Sequence, residues 1–200
     1  MDFLKNNARY IIGFLVTAFL LVILVVLLLG GGSSNNSAGN STDKTMTKKV
    51  LQDYSSTNTV VRLTIDGPVT AQQVHTQTVI TVGRDNTVFS LNEGYDGQVT
   101  KTQSYANTET SYNVFLNSLN KAGFDKGDPS KNLQNARGYC PTSNRYIFEV
   151  IENGNTIQRY WATNCGSTPK TYLGSLGLTL TLFRSQVPNY NTLTANARTY

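Results

Sequence analysis

Histidine and cysteine are nearly absent from this 200-residue sequence, which contains one histidine and two cysteines. This scarcity argues against the usual zinc sites, which need about four nitrogen or sulfur ligands. The only imidazole, His75, falls on the polar face of a predicted strand, so we expect it to be exposed and inert. The acidic residues are dispersed, and Glu149 and Glu152 lie on opposite faces of a strand, so they cannot form a carboxylate pair. The sequence therefore predicts no catalytic constellation, metal or other cofactor.

Charged residues are also scarce, at 14% of the chain. Lysine and arginine outnumber aspartate and glutamate by 17 to 12, but the cations are scattered and cluster only at Lys48-Lys49. A nucleic-acid-binding protein needs a denser basic patch. The charge pattern therefore excludes nucleic acid as a partner.

One uncharged hydrophobic run covers residues 10–29. A helix of that length spans about 30 Å, the thickness of the hydrocarbon core of a bilayer. Lys5 and Arg9 precede the run, and basic residues are retained in the cytoplasm. We therefore predict a single-pass protein of the cell membrane, with residues 1–9 cytoplasmic, residues 10–29 in the lipid bilayer and the remainder outside. A cleaved signal peptide is the alternative, with cleavage near Gly30–Ser34.

Two further segments follow the hydrophobic run. Residues 30–44 are rich in Gly, Ser and Asn and have almost nothing to bury, which predicts a flexible linker. Residues 45–200 are long enough for one domain. Its order of strands and helices predicts an α+β fold, with an antiparallel sheet and about two packing helices.

Four strands are predicted in the first half of the domain, followed by a helix. The turn at Gly83–Asn86 sets a register in which Ile80 pairs with Phe89 and Thr78 with Leu91. A polar last strand predicts a sheet edge. The predicted strands are Thr59–Ile65, Gln73–Val82, Thr87–Asn92 and Gln98–Tyr105. The helix is predicted from the helical spacing of Tyr112, Phe115, Leu116 and Leu119. Asn107 is its expected cap, and Gly123 is its expected end.

Two shorter segments are less regular. Lys44–Ser56 predicts a short helix that joins the linker to the domain. At residues 175–187 the alternating leucines fit a strand, but the spacing of Leu173, Leu176, Leu180 and Phe183 fits a helix. We favour a helix that begins at Thr168-Pro169, because proline suits the first helical position.

The dipeptide Asn153-Gly154 predicts a tight hairpin. It pairs Glu152 with Asn155, and it extends to the pairs Val150–Ile157, Phe148–Arg159 and Tyr146–Trp161, with Ile147 opposite Tyr160 on the reverse side. The same register brings Cys140 and Cys165 to the open end of the hairpin. Outside the cytoplasm such a pair forms a disulfide, and the loop of about 25 residues contributes roughly 3 kcal/mol in the loop-entropy model.

The function class that these features favour is a membrane-anchored extracytoplasmic module for binding, adhesion or envelope assembly. Tyr146, Tyr160 and Trp161 offer an aromatic binding surface for a cell-envelope polymer or another surface protein. The competing interpretation is that these rings fill the core.

A second class, an exported Cys/His transpeptidase similar to sortases, would use Cys165, His75 and Arg184. The residues Ala162–Cys165 lack the Thr-Leu-x-Thr-Cys pattern of that family, and a disulfide would consume the thiol.

Overall fold

The computed structural model describes residues 49–130, 134–166, 169–195 and 197. The predicted cytoplasmic residues 1–9, membrane segment 10–29 and linker 30–44 therefore lie outside the described residues. Within the described part of the chain, no helix has both the length and the apolar character to cross a membrane.

A six-stranded antiparallel sheet organises the described residues, which confirms the α+β class. The first four strands form a meander, and the last two form a hairpin that docks on the free side of β1, so the order is β4-β3-β2-β1-β5-β6. The predicted pairs Ile80–Phe89 and Thr78–Leu91 are confirmed, and β4 is an edge as expected. The strands are β1 (Thr59–Asp66), β2 (Thr76–Val82), β3 (Asn86–Glu93), β4 (Gln98–Ala106), β5 (Arg145–Glu152) and β6 (Asn155–Thr163).

Three helices in the described part of the chain pack on one face of this sheet, which we call the helix face. Alternation along each strand places large apolar side chains there, because neighbouring residues point to opposite faces. The helices are α1 (Glu109–Ala122), α2 (Leu176–Ser185) and α3 (Tyr190–Thr194). Aromatic contacts join the layers, with Phe124 5.9 Å from Phe148 and 5.8 Å from Phe183 between ring centroids.

The second face of the sheet, which we call the open face, carries mainly polar side chains. No helix among the described residues covers it. One row across β1, β5 and β6 consists of Arg62, Glu149 and Arg159. Arg62 Nε lies 2.8 Å from a Glu149 carboxylate oxygen, so the row contains an ion pair.

The hairpin register is the main correction to the sequence-based model. Glu152 does pair with Asn155, as predicted, but a β-bulge follows, and Val150 pairs with Gln158. Ile157 is the extra residue that the bulge leaves unpaired. Beyond it every predicted pair shifts by one residue, because a bulge opposes two residues to one. The observed pairs are Phe148–Tyr160, Ile147–Trp161 and Tyr146–Ala162.

Several element boundaries also differ from prediction. The helix at 175–187 exists, but it begins at Leu176, because Thr171 and Tyr172 instead donate backbone hydrogen bonds to Trp161 O. Strand β2 begins at Thr76, since Gln72–Val74 form a 3-10 turn. In the described part of the predicted segment Lys44–Ser56, only Leu51–Tyr54 are helical, as a 3-10 turn.

Candidate functional site

A ladder of four polar side chains crosses one end of the open face. The pairing of β3, β2, β1 and β5 places Asn92, Gln77, Asp66 and Arg145 side by side, and side chains that oppose each other across strands share a face. Asn92 Nδ2 donates to Gln77 Oε1 at 3.4 Å, and Gln77 Nε2 donates to Asp66 Oδ1 at 3.4 Å. Arg145 Nη2 lies 2.6 Å from Asp66 Oδ2. The ladder therefore ends in a short, charge-assisted contact.

His75 lies beside this ladder and is buried, with 2% of its surface exposed. Nδ1 lies 3.0 Å from Pro68 O, and Nε2 lies 3.0 Å from Asp66 Oδ1. A carbonyl oxygen only accepts, so Nδ1 is the donor. The ring of Tyr95 stacks on the imidazole at 4.1 Å with an interplanar angle of 13°. The expectation of an exposed histidine is therefore wrong, because the turn before β2 places His75 under Tyr95.

Arg145 is the most constrained cation of the site. The residue is 4% exposed, and Nη2 donates to Gly67 O at 3.0 Å as well as contacting Asp66. Its Nε is buried and has no hydrogen-bond partner among the described residues. Buried donors are normally satisfied, so Arg145 keeps one unused donor at this end of the sheet.

A cleft of about 510 Å³ opens above Arg145. Its floor includes Asp66, Gln77 and Arg145, and its walls are the turn at Gly94–Gly97 and the loop at 135–138. The volume lies within the range of small-molecule sites, about 300–1,000 Å³. The polar ladder thus forms the bottom of a ligand-sized depression rather than a flat surface.

Two further arginines make this cleft cationic. Arg159 lies on β6, where Nε is 3.6 Å from Glu149 Oε1 and Nη1 donates to Gln134 O. Arg137 lies on the loop, is exposed, and forms no ion pair within the part of the chain that the structure describes. Among the described residues that line the cleft, three are arginines and one, Asp66, carries a carboxylate. A concave surface lined by one sign of charge concentrates ligands of the opposite sign.

The predicted disulfide between Cys140 and Cys165 is present, with Cα atoms 5.9 Å apart. It anchors the C-terminal end of the loop that walls the cleft. Val69 N also donates to Pro141 O at 2.7 Å, and the ring of Tyr139 stacks on Trp161 at 5.1 Å. The loop is therefore attached to both neighbouring parts of the domain, which fixes one wall of the cleft.

The predicted aromatic surface does not form. Trp161 is 0% exposed and Tyr146 is 4% exposed, whereas Tyr160 is half-buried. The bulge in β6 places Trp161 on the open face, under Tyr139, while Tyr146 and Tyr160 point to the helix face. The burial of these side chains therefore supports the competing interpretation, in which the rings fill the interior.

The residues that a transpeptidase would use are not assembled. Cys165 is in the disulfide, and no free cysteine is present. Both ring nitrogens of His75 already have partners. Arg184 packs over the ring of Tyr190 at 5.4 Å. No contact shown by the structure joins any two of these three residues, and no cluster of metal ligands occurs among the described residues.

The sequence analysis missed Asp66 and Arg145 as a pair. The predicted strand Thr59–Ile65 ends just before Asp66, and 78 residues separate Arg145 from Gly67, whose carbonyl it binds. The available signal was the polarity of both residues at strand ends, but only the pairing of β1 with β5 connects them.

Neither models of known protein families nor curated proteins match this chain. The assignment of a ligand class therefore rests on the side chains of the cleft.

Proposed function

We propose that this chain is a membrane-anchored extracytoplasmic binding module whose cleft on the open face takes an anionic ligand. The observation that carries the proposal is Arg145, a buried guanidinium with an unpaired Nε at the floor of a cleft that Arg137 and Arg159 also line. Arginine suits this role, because its planar fork binds carboxylate and phosphate in two-point geometry.

The cellular setting of the proposal comes from the sequence. The hydrophobic run at 10–29 would hold the protein in the membrane, with residues 30–44 as a tether. A disulfide persists on the exported side of a membrane, and the bond between Cys140 and Cys165 is in keeping with that placement. The ligand would then be an acidic component of the cell envelope or the acidic surface of another envelope protein.

The proposal is tested by titrating the full-length protein, in mild detergent, with trigalacturonate and with tripolyphosphate. The first variant is the double substitution Arg137→Ala and Arg159→Ala, which spares the buried Arg145. A hydrogen bond to a charged group contributes about 1.5–3 kcal/mol, so we expect at least about a tenfold loss of affinity per arginine.

The matched control is the double substitution Arg84→Ala and Lys121→Ala, which removes one exposed cation at the turn between β2 and β3 and one on α1, on the other side of the sheet. That turn lies at the opposite end of the sheet from the ladder, so the control should bind within about twofold of the parent protein. Equal losses in the double variant and the control would reduce the binding to general attraction by a basic protein and contradict the proposal.

A further inference from the structure

Tyr95 forms an exposed aromatic platform at the edge of the cleft. The ring lines the cleft and is 51% exposed. One side of it stacks on His75, and about half of the residue stays exposed to solvent. A ligand in this cleft would therefore contact an aromatic ring and the arginines at the same time.

This ring is held rigidly before any ligand arrives. The phenol oxygen donates to Thr70 O at 2.8 Å and accepts from Thr70 N at 3.0 Å. Tyr95 N donates to Gln72 Oε1 at 3.2 Å, and Gln72 Nε2 donates to Asp96 Oδ1 at 2.8 Å. Binding to a ring that is already fixed loses little conformational entropy, which is the advantage of a preorganised site.

The surroundings of the platform suit a hydroxylated ring. Val69 is 54% exposed and also lines the cleft, and it directly precedes Thr70, which holds the phenol of Tyr95. The side chains of Gln77 and Asn135 line the cleft and offer both donors and acceptors. A Cβ added at Gly97 or Gly138 would meet no atom within 4 Å, so the backbone of both walls is open to close approach.

We infer that the ligand is an acidic saccharide, whose ring stacks on Tyr95 while its carboxylate or phosphate meets the arginines. This inference rests on the proposed function and specifies its ligand. A single exposed ring with hydrogen-bonding walls matches a sugar, which has an apolar ring face and hydroxyl groups at its edge. A nucleotide also combines a flat ring with negative charge and can stack on one aromatic side chain, so it is the competing ligand in the test below.

Four small probes separate these chemistries on the full-length protein in detergent. Trigalacturonate carries rings and carboxylates, maltotriose carries rings without charge, tripolyphosphate carries charge without rings, and ATP carries charge with a nucleobase. We expect trigalacturonate to bind at least about tenfold more tightly than the other three, because only it satisfies both the platform and the arginines.

Substitutions at Tyr95 test the platform itself. Tyr95→Ala should weaken trigalacturonate at least about tenfold and change tripolyphosphate less than about threefold, since truncating a tyrosine that anchors a contact costs about 2 kcal/mol or more. Tyr95→Phe keeps the ring and loses the two bonds to Thr70, so it should bind trigalacturonate with an intermediate affinity. Val114→Ala, an exposed position of α1 on the helix side of the sheet, is the control and should bind as the parent protein does.

The outcomes separate this inference from the proposed function. Equal binding of trigalacturonate and tripolyphosphate, both insensitive to Tyr95→Ala, would overturn the saccharide and leave an anion site. Tightest binding of ATP would replace the saccharide by a nucleotide. A loss of tripolyphosphate binding in Tyr95→Ala as large as the loss of trigalacturonate would assign Tyr95 a structural role and overturn the platform. Absence of binding to any anion would overturn both proposals.

Discussion

Tyr112 shows how much one buried hydroxyl contributes to this domain. The residue is 0% exposed, and its phenol donates to Thr59 O at 2.9 Å, which ties α1 to the start of β1. Burial raises the pKa of Tyr112 well above its ordinary value of about 10. The cause is the loss of hydration for the phenolate, so the folded state keeps its proton longer than the unfolded chain does.

Stability should consequently fall at alkaline pH. A group whose pKa is raised in the folded state contributes stability that is fully present below its unfolded pKa, about 10, and is lost as the pH rises towards the folded pKa. Tyr112→Phe should lower the free energy of unfolding at about pH 8 by about 1–2 kcal/mol, because Thr59 O loses its partner. Raising the pH from about 10 to about 11 should then lower the free energy of unfolding by a smaller amount in the variant than in the parent protein.

Urea unfolding at both pH values measures these effects. Burial also raises the pKa of Tyr172 and Tyr190, so part of the alkaline decline should remain in the variant. An identical pH dependence of stability in parent and variant would show that Tyr112 does not contribute to the loss of stability at alkaline pH.

His75 marks the limit of sequence analysis at this scale. Alternation along a strand that began at Gln73 placed it on a polar, exposed side. The structure instead starts β2 at Thr76 and stacks Tyr95 on the imidazole. The partners of His75 come from Asp66 and Pro68, and local periodicity carries no information about them.

At the scale of elements, α1 depends on its first turn. Sequence periodicity predicted this helix and its glycine end, and Gly123 adopts the expected left-handed conformation with φ of 77°. The predicted cap was one residue early. Thr108 Oγ1 accepts from Ser111 N at 3.2 Å, whereas Asn107 Nδ2 donates to Gly83 O at 2.8 Å and so connects the helix start to the β2–β3 turn.

Thr108→Ala should lower the free energy of unfolding by about 1 kcal/mol, because one helix N–H loses its acceptor. Thr108→Ser keeps the hydroxyl and is the matched control, with an expected change under about 0.5 kcal/mol. Chemical denaturation of the two variants and the parent protein measures the difference. Equal destabilisation by alanine and serine would show that the methyl group, rather than the cap, matters at this position.

The hairpin β5–β6 shows why element-level prediction fails beyond the turn. Asn153-Gly154 fixed the pair Glu152–Asn155, because local turn chemistry decides that geometry. The bulge that follows is set by tertiary packing, since it directs Tyr160 and Ala162 towards the helix face and Trp161 under Tyr139. A pattern of residues along one strand does not encode which of two faces will be covered by a distant loop.

For the whole molecule, the disulfide connects stability to the shape of the cleft. Replacing both Cys140 and Cys165 by Ser should lower the free energy of unfolding by about 2–4 kcal/mol. Because the bond anchors the loop that carries Arg137, the same variant should also bind trigalacturonate more weakly. Unfolding in urea and the titration described above give the two readouts.

A reducing agent supplies the control for this prediction. It should weaken binding by the parent protein and leave the double serine variant unchanged. Full affinity in the serine variant, with lowered stability, would show that the loop keeps its place without the crosslink and would contradict the link to the cleft.

The pairing of β1 with β5 has a consequence for the time course of folding. Arg62 and Glu149 form their ion pair across 87 residues of sequence, and contacts at such separations form slowly because a long loop must close first. During synthesis the meander can assemble as soon as β4 emerges, but the edge of β1 stays unpaired until β5, which ends at Glu152, has been made. During that interval the unpaired backbone N–H and C=O groups of β1 can pair with a strand of another newly made chain. This is the stage at which the protein is most prone to aggregate.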